Sequence, residues 1–256
     1  MHFLLLSRIR PKYDRMNIAV DYGNTAAKVG IFKDEHLHDK RLFQDSSALR
    51  AFLESYHAEN VIASSVSHPV EELLSWSVAR GKKIALSYQL PLPIKILYTT
   101  PQTLGVDRIA AVCGAVEIFP NQDCLVIDAG TCITYEFIDH LGNYYGGGIS
   151  PGIAMRFEAM HHFTSRLPLV QPVLLAPLVG DSTESSMQSG VINGVRAEVE
   201  GIIQKYAGQY PSLKAVLCGG DAAFFENQFK QPIFMSPDLV LIGLNRILHH
   251  NTNSRQ

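Results

Sequence analysis

The sequence lacks the features that mark nucleic-acid-binding and membrane-spanning proteins. It has 22 Lys and Arg against 24 Asp and Glu, a net charge of -2, and no long basic run to attract a phosphate backbone. No apolar segment is long enough to span a bilayer, and in the opening "MHFLLLSRIRPKYDR" the charges follow the apolar run, the wrong order for a signal peptide. We therefore expect no nucleic-acid partner, no membrane association and a cytoplasmic location.

Cysteine is also scarce, and its spacing excludes the common cysteine-built sites. Cys113, Cys124, Cys132 and Cys218 lie far apart within apolar stretches, without zinc-ligand spacing or a disulfide framework. We expect buried free thiols in a reducing compartment. With 256 residues, of which 46% are hydrophobic, the chain can bury a large core in one or two domains.

What the sequence does contain is one pattern used twice. The segments "NIAVDYGNTAAKVGIF", from residue 17, and "CLVIDAGTCITYEFID", from residue 124, each place an acidic turn between two apolar strands. Each is predicted to be a β-hairpin. In the second, Ile133, Tyr135 and Phe137 alternate with Thr134 and Glu136, so the first three are expected to be buried and the other two to face solvent. The repeated pattern indicates an internal duplication.

The duplication predicts two similar α/β domains with a ligand-binding cleft between them. The expected domains are 16–119 and 120–256, and residues 1–15 are expected to be a poorly ordered extension. Further predicted strands are "VIASSV", "KIALSY" and "KAVLCGG". Further predicted helices are "ALRAFLESYH", "VEELLSWSVARG", "AMRFEAMHHF" and a long one over 184–209.

The two acidic turns have the composition of an anion-binding cradle. Residues 23–25 and 130–131 supply permissive backbone, exposed N–H groups and hydroxyl donors. A bare carboxylate repels phosphate, so Asp21 and Asp128 require a cation between themselves and any bound phosphate. An ordinary Asp-x-Gly turn explains one such segment, but two at matched positions favour phosphate binding. Lys28 either reaches this phosphate or points outward from its strand.

The cradle is not a P-loop. The sequence has no GxxxxGK[ST], and a strand follows each acidic turn where a P-loop has a helix. The two acidic turns are therefore a different kind of candidate phosphate site.

A third acid, Asp107, stands at the start of a predicted helix. In "YTTPQTLGVDRIAAVCGAVEIF" the apolar residues recur at helical spacing after this acid. One interpretation is that Asp107 is the helix N-cap. The other is that it orients an acceptor hydroxyl and takes its proton, with Arg108 as the adjacent cation.

Three other segments are compatible either with ligand binding or with ordinary turns. "YYGGGISPG" is predicted to be a glycine-rich turn, and "CGGDAAFF" is a β-to-α turn or a flat seat for a nucleoside. In "VGDSTESSMQSG", helix capping explains residues 181–183. His161 and His162 are adjacent and face different sides of a helix, so a shared metal is not expected.

Taken in order, "DYGNT", "GVDR", "DAGT", "GGGISPG" and "STESSMQSG" resemble the type III pantothenate kinase family over nearly the whole chain from Met16. The hairpins resemble those of the acetate and sugar kinase, Hsp70 and actin superfamily. The resemblance implies a duplicated two-domain ribonuclease H-like (actin-like ATPase) α/β fold with an interdomain cleft. It implies ATP-dependent phosphorylation of pantothenate to 4'-phosphopantothenate, the first step of coenzyme A biosynthesis, by a homodimer that uses K+ or NH4+ and takes Mg2+ with ATP.

The resemblance also implies residue roles. Asp107 is expected to be the catalytic proton acceptor, and Asp128 to hold the monovalent cation. The expected ATP-binding residues are Asp21, Tyr22, Gly23, Asn24, Thr25, Ala26, Ala27, Lys28 and Thr131. The expected pantothenate-binding residues are Tyr98, Gly105, Val106, Asp107, Arg108 and Thr183.

The sequence departs from the family pattern at two small residues. Cys132 stands where alanine is usual, and Cys218 replaces threonine before the glycine pair, which leaves the adenosine contact open. A kinase of another small hydroxylated substrate is one alternative function, because the hairpins read ATP and not the acceptor. A nucleotide-binding regulatory protein is the other, and the presence of both Asp107 and Asp128 disfavours it.

Overall fold

The computed structural model describes residues 16–226, 228–229 and 232–253. The expectation for residues 1–15 lies outside the described residues. The strands are β1 (Met16–Tyr22), β2 (Ala27–Lys33), β3 (His36–Phe43), β4 (His57–Ala58), β5 (Val61–Ser65), β6 (Val78–Ala79), β7 (Lys83–Ala85), β8 (Lys95–Ile96), β9 (Cys124–Ala129), β10 (Cys132–Ile138), β11 (Asn143–Pro151), β12 (Lys214–Cys218) and β13 (Ile233–Met235). The helices are α1 (Ser46–Ser55), α2 (Val70–Trp76), α3 (Val106–Ile118), α4 (Ile153–Phe163), α5 (Thr183–Gln188), α6 (Gly194–Gln209) and α7 (Leu239–Asn253).

Two sheets repeat one strand arrangement. The first has the order β3-β2-β1-β5-β7, and the second has β13-β12-β9-β10-β11-β8. In each sheet three consecutive strands form an antiparallel meander, and two later strands add in parallel beside the first of them. The predicted hairpins are β1-β2 and β9-β10, and they occupy equivalent places in the two sheets. The predicted duplication and the fold class are confirmed.

A layer of two helices, α3 and α7, packs between the sheets. The core around them takes Ala19 and Ile62 from the first sheet and Val126 and Val216 from the second, all fully buried. The helices bring their own apolar side chains, such as Leu244, into the same core, where truncation to alanine costs about 2–5 kcal/mol. Both hairpins are therefore fixed against one helical layer, and α3 carries Asp107.

Other helices cover the outer faces of the two sheets. Leu49 and Leu53 of α1 and Leu73 of α2 are buried against the first sheet. The second sheet is covered by α4 and by the long predicted helix, which is confirmed over Thr183–Gln209 with a π-helical turn between α5 and α6. A sheet covered on both sides is apolar on both faces, which explains the nearly continuous burial of β1 and β9.

Two local predictions were wrong. The helix expected over "VEELLSWSVARG" ends at Trp76, because Val78 and Ala79 leave it to pair with His57 and Ala58 as a short parallel ladder. The glycines of "YYGGGISPG" lie inside strand β11 and do not form a turn.

Two segments cross between the predicted domains. Strand β8, at residues 95–96, pairs with β11 of the second sheet, and α7 packs on β1 of the first sheet. The boundary at 119/120 stays a prediction.

The cysteine prediction is confirmed in the main. All four cysteines are free thiols; three are buried, and Cys132 is partly exposed. Burial raises the pKa of Cys124 to about 12 and also raises the pKa of Cys218, so both stay protonated at neutral pH. Within the described part of the chain, no helix has the length and apolar character needed to cross a membrane.

Candidate active site

The first acidic turn joins β1 to β2. Asp21 pairs in register with Lys28 across this hairpin, and Ser64 of β5 donates a hydrogen bond to Asp21 Oδ1 at 3.1 Å. The backbone N–H of Gly23 donates to the Ala26 carbonyl at 3.1 Å, which closes the turn. Asn24 and Thr25 between them are exposed. The turn therefore presents backbone and hydroxyl donors above a half-buried carboxylate.

The second acidic turn joins β9 to β10 and has the same form. The backbone N–H of Gly130 donates to the Cys132 carbonyl at 3.0 Å, and Thr131 at the tip is exposed. Asp128 stands near the end of β9, beside Gly219 at the end of β12. Gly219 has φ +96°, and an added Cβ would lie 2.5 Å from Asp128 Oδ1. Only glycine fits this backbone and leaves room for the carboxylate.

Asp107 lies in the first turn of α3. The helix N-cap is Gly105, and Asp107 Oδ1 accepts a hydrogen bond from the backbone N–H of Arg108 at 2.9 Å. The interpretation of Asp107 as N-cap is therefore wrong. The carboxyl group is partly exposed and available to a ligand.

The three acids share one electrostatic environment. Burial raises the pKa of Asp21 to about 6; Lys28 lowers it and Asp107 raises it. Burial likewise raises the pKa of Asp128 to about 6, with Asp107 and Asp21 raising it and Lys28 lowering it. The structure thus brings together acids from β1, α3 and β9 around a single lysine.

The donor set at this place fits a bound cation. Asp21 and Asp128 are each influenced by Asp107 and by Lys28, and carboxylate oxygens are the ligands that Mg2+ and other hard cations prefer. Among the described residues, no group of three or more His, Cys, Asp and Glu side chains is arranged to hold a metal by itself. A cation here would therefore take one or two protein oxygens and complete its shell with phosphate and water, which is the usual arrangement for Mg2+ bound with a nucleotide.

Arg108, one of the predicted substrate-binding residues, is nearly buried and is held by an ion pair. Its side chain is 9% exposed, and it makes a two-point ion pair with Glu136, from Nε to Oε1 at 2.5 Å and from Nη2 to Oε2 at 2.8 Å. Tyr144 donates to Glu136 Oε2 at 2.6 Å. Burial opposes the charge of Arg108, but the bonds to Glu136 leave its pKa raised overall. The ring of Tyr98 lies 5.7 Å from the guanidinium carbon.

Glu136 and Tyr144 were missed by the sequence reasoning, and the expectation that Glu136 faces solvent was wrong. Ile133, Tyr135 and Phe137 are buried as predicted, but Glu136 is fully buried too. Strand β10 has α3 on one face and α6 on the other, so its alternation of residue types does not mark a solvent face. A carboxylate between Tyr135 and Phe137 was the available signal, because a charge in such a strand needs a buried partner.

Thr183 lies at the start of α5, where it lines a separate cavity. Ser182 is the N-cap of α5 and forms a capping box with Ser185, so capping is confirmed there. Thr183, the first residue of the helix, is exposed and lines a cavity of about 950 Å³ together with Arg156. The other predicted substrate residues, all within the described chain, are not among the residues lining this cavity.

Two further predicted residues have aromatic contacts. Tyr22 stacks on His68 with ring centroids 5.4 Å apart. The ring of Tyr98 packs on the backbone of Gly146. His161 bonds to the Leu167 carbonyl at 2.8 Å, an ordinary structural contact.

Duplicated sheets that present acidic hairpins to a shared helical layer define the actin-like two-domain class, which includes the acetate and sugar kinases. Two solved structures share this fold. One, named for the Baf family of transcriptional activators and from Campylobacter jejuni, is 24% identical with a TM-score of 0.61, over 92% of this chain and 99% of that one. The other is the activator of 2-hydroxyisocaproyl-CoA dehydratase from Clostridium difficile with bound ADPNP, 11% identical with a TM-score of 0.51, over 94% of this chain and 98% of that one.

The family follows from sequence comparison. The family model for type III pantothenate kinase matches residues 17–205. A type III pantothenate kinase from Bacteroides fragilis is 44% identical over 245 residues, which cover 92% of this chain and 98% of the relative. The chain belongs to the type III pantothenate kinase family.

Proposed function

We propose that this protein transfers the γ-phosphoryl group of ATP to the primary hydroxyl of pantothenate and releases 4'-phosphopantothenate, the first step of coenzyme A biosynthesis. The observation that carries the proposal is the convergence of Asp21, Asp107 and Asp128 around Lys28 in a member of this family. Phosphoryl transfer requires a proton acceptor for the alcohol and balanced charge at the phosphates, and this group of residues can supply both.

Asp107 is the proposed proton acceptor. It is partly exposed at the start of α3, where the N-cap is Gly105, and of its two carboxylate oxygens Oδ1 accepts one backbone hydrogen bond, from Arg108. Held within hydrogen-bond reach of the pantothenate hydroxyl, it orients the oxygen for in-line attack. It takes the proton as the bond to the γ-phosphorus forms and the bond from that phosphorus to ADP breaks, so ADP leaves.

The two hairpin turns are the proposed grip on the ATP phosphates. The N–H groups of Gly23 and Gly130 close the two turns, and the exposed tips Asn24, Thr25 and Thr131 offer the backbone N–H groups and hydroxyls proposed to bind phosphate. Lys28, paired with Asp21 across the first hairpin, adds a positive charge. In this arrangement the donors stabilise charge that spreads over the transferring phosphoryl oxygens.

Two cations complete the proposal. Asp128 would hold a monovalent cation, K+ or NH4+, and Asp21 would be the nearer acid for the Mg2+ that accompanies ATP, each ion supplying positive charge against the phosphates. When bound, these ions offset the repulsion between the carboxylates and the phosphates.

A homodimer in the cytoplasm is the proposed working form. Large apolar side chains are exposed close together in the sequence shortly before Thr183; they are Phe163, Leu169, Leu174, Leu175, Leu178 and Val179. Such a concentration of exposed apolar residues is typical of protein interfaces. A second copy of the chain would cover this surface and bring the cavity at Thr183 into the assembly.

The test is a direct assay. The purified chain is incubated with ATP, Mg2+ and pantothenate, with and without K+, and the product is identified by mass spectrometry. A panel of sugars and other small alcohols is run in parallel. We expect phosphopantothenate alone and a strong dependence on the monovalent ion. Phosphorylation of a different acceptor, or ATP binding without any transfer, would contradict the proposal.

A further inference from the structure

Arg108, one of the predicted pantothenate-binding residues, is held by groups that have no assigned role. Arginine carries five N–H donors in a planar fork. Glu136 occupies the Nε edge of this fork with two hydrogen bonds, and the ring of Tyr98 lies 5.7 Å from the guanidinium carbon. The remaining donors stay on the side of the fork away from Glu136. The orientation of these donors is therefore set by the carboxylate of Glu136.

Glu136 is itself fixed by Tyr144. The hydroxyl of Tyr144 donates to Glu136 Oε2 at 2.6 Å, and both side chains are fully buried. Burial and the adjacent carboxylate raise the pKa of Tyr144, so its hydroxyl stays protonated and remains a donor. Each oxygen of Glu136 thus has at least one strong donor, which holds the carboxylate in a single orientation.

An irregularity in the sheet makes this contact possible. Glu136 pairs with Gly147 and Phe137 with Gly146, but Ile138 pairs with Tyr144, so Tyr145 is an extra residue in β11. Side chains alternate between the faces of a strand, and a one-residue bulge changes which face the following residues occupy. Without the bulge Tyr144 would lie on the face opposite to Glu136.

The same bulge places Tyr98. Gly146, within the bulge, has φ +90°, and an added Cβ would lie 2.5 Å from the Tyr98 ring. The Tyr98 ring therefore rests on bare backbone, 5.7 Å from the Arg108 guanidinium. Two of the predicted pantothenate residues are thus positioned by one irregular part of the β10-β11 hairpin.

We propose that Glu136 and Tyr144 are positioning residues for pantothenate: they hold the Arg108 fork so that its remaining donors, beside Tyr98, face the substrate. The ion pair also cancels the charge of Arg108, so this part of the site recognises substrate oxygens by the direction of its hydrogen bonds more than by net charge. This inference rests on the proposed pantothenate kinase function and deepens it.

The test is steady-state kinetics on Tyr144→Phe and Glu136→Gln, with a matched control. Tyr144→Phe removes one hydroxyl and keeps the packing of the ring. Tyr145→Phe is the matched control. Tyr145 is the adjacent residue on the opposite face of the strand, and its hydroxyl also donates to a carboxylate, that of Asp139. We expect Tyr144→Phe to raise the KM for pantothenate about 3- to 10-fold, which is the effect of losing one hydrogen bond to a charged group. Glu136→Gln should raise this KM at least as much. The KM of both variants for ATP should stay within about twofold of wild type. Both KM values of Tyr145→Phe should also stay within about twofold, because a hydrogen bond from an exposed hydroxyl contributes little.

A double-mutant cycle separates positioning from general destabilisation. Arg108→Lys cannot make the two-point contact with Glu136. If Tyr144 acts through Arg108, Tyr144→Phe should change the pantothenate KM less than about twofold in the Arg108→Lys background. A purely structural role would lower the melting temperature and the active fraction and leave both KM values unchanged. Calorimetric titration of pantothenate gives the same comparison without turnover.

The possible results distinguish a failure of the proposed function from a failure of the positioning role. Wild-type protein that does not phosphorylate pantothenate overturns the proposed function and this inference together. Active wild type with an unchanged pantothenate KM in folded Tyr144→Phe overturns the inference alone, as does an equal rise in both KM values. If Glu136→Gln fails to fold, Tyr144→Phe and the double-mutant cycle decide.

Discussion

Gly219 packs directly on Asp128, and an added Cβ would lie 2.5 Å from the carboxylate oxygen Oδ1. The glycine also has φ +96°, in the region that other residues rarely adopt. The geometry of the second acidic turn therefore depends on β12 as well as on the β9-β10 hairpin. The backbone of β12 sets the space available to the carboxylate that is assigned to the cation.

Gly219→Ala is expected to lower both stability and activity. The strained backbone and the contact with Asp128 and the Ala129 backbone should cost about 1–3 kcal/mol. Gly220→Ala is the matched control, because nothing lies within 4 Å of its added Cβ and its φ is not positive. Urea unfolding and the kinase assay on both variants check this. Equal behaviour of the two variants would contradict the steric argument.

Asp107→Asn should fold normally and lose turnover. The substitution removes the proton acceptor and keeps the size of the side chain, so kcat should fall by about 10²–10⁴-fold. Asp45→Asn is the control, because Asp45 caps the start of α1 and asparagine caps equally well. Circular dichroism confirms folding and the assay gives kcat. A fully active, folded Asp107→Asn protein would remove Asp107 from the mechanism.

Stability should respond to pH through Asp128. Its folded-state pKa of about 6 lies above the ordinary value of 3.8, so between these pH values the folded protein holds more protons than the unfolded chain. The free energy of unfolding therefore falls as pH rises through this window. Asp128→Asn should stabilise the ligand-free protein by about 1 kcal/mol at pH 8, after allowance for solvent exposure, and less near pH 4.

Asp139→Asn is the control of opposite sign for this pH effect. Burial alone would raise the pKa of Asp139, but hydrogen bonds from Asn143, Tyr145 and Leu141 lower it overall. Its contribution to stability is present at neutral pH and is lost as pH falls. Asp139→Asn should therefore destabilise most at neutral pH. Chemical denaturation between pH 4 and pH 8 compares the two variants, and the same sign for both would contradict the linkage argument.

Leu178→Glu should dissociate the proposed dimer. Leu178 is 84% exposed within the apolar surface near Thr183, and a charge at an interface core is strongly unfavourable. Leu141→Glu is the control, since Leu141 is 74% exposed at the β10-β11 turn. Sedimentation velocity should give a monomer for the first variant and a dimer for the second. A Leu178→Glu protein with the mass of the wild-type assembly would place the interface elsewhere.

The sequence was sufficient for the hairpins and for the duplication. Their signals are local, because an apolar strand, an acidic turn and a second strand are adjacent in the chain. Asp21 and Asp128 could be placed at equivalent turns for the same reason.

The surroundings of Arg108 could not be predicted in the same way. The burial of Glu136 depends on helices covering both faces of its strand, which no local period encodes. The contact from Tyr144 depends on a one-residue bulge, and Gly146 looks like any turn glycine in the sequence. These features follow from long-range packing, whereas the hairpins follow from neighbouring residues.

The last described helix, α7, packs against β1 and α3, which lie far earlier in the chain. During synthesis, the helix that carries Asp107 therefore waits for residues 239–253 before its apolar side is covered. Assembly of the catalytic layer therefore depends on residues 239–253, so a nascent chain should acquire nucleotide affinity only after these residues have been synthesised.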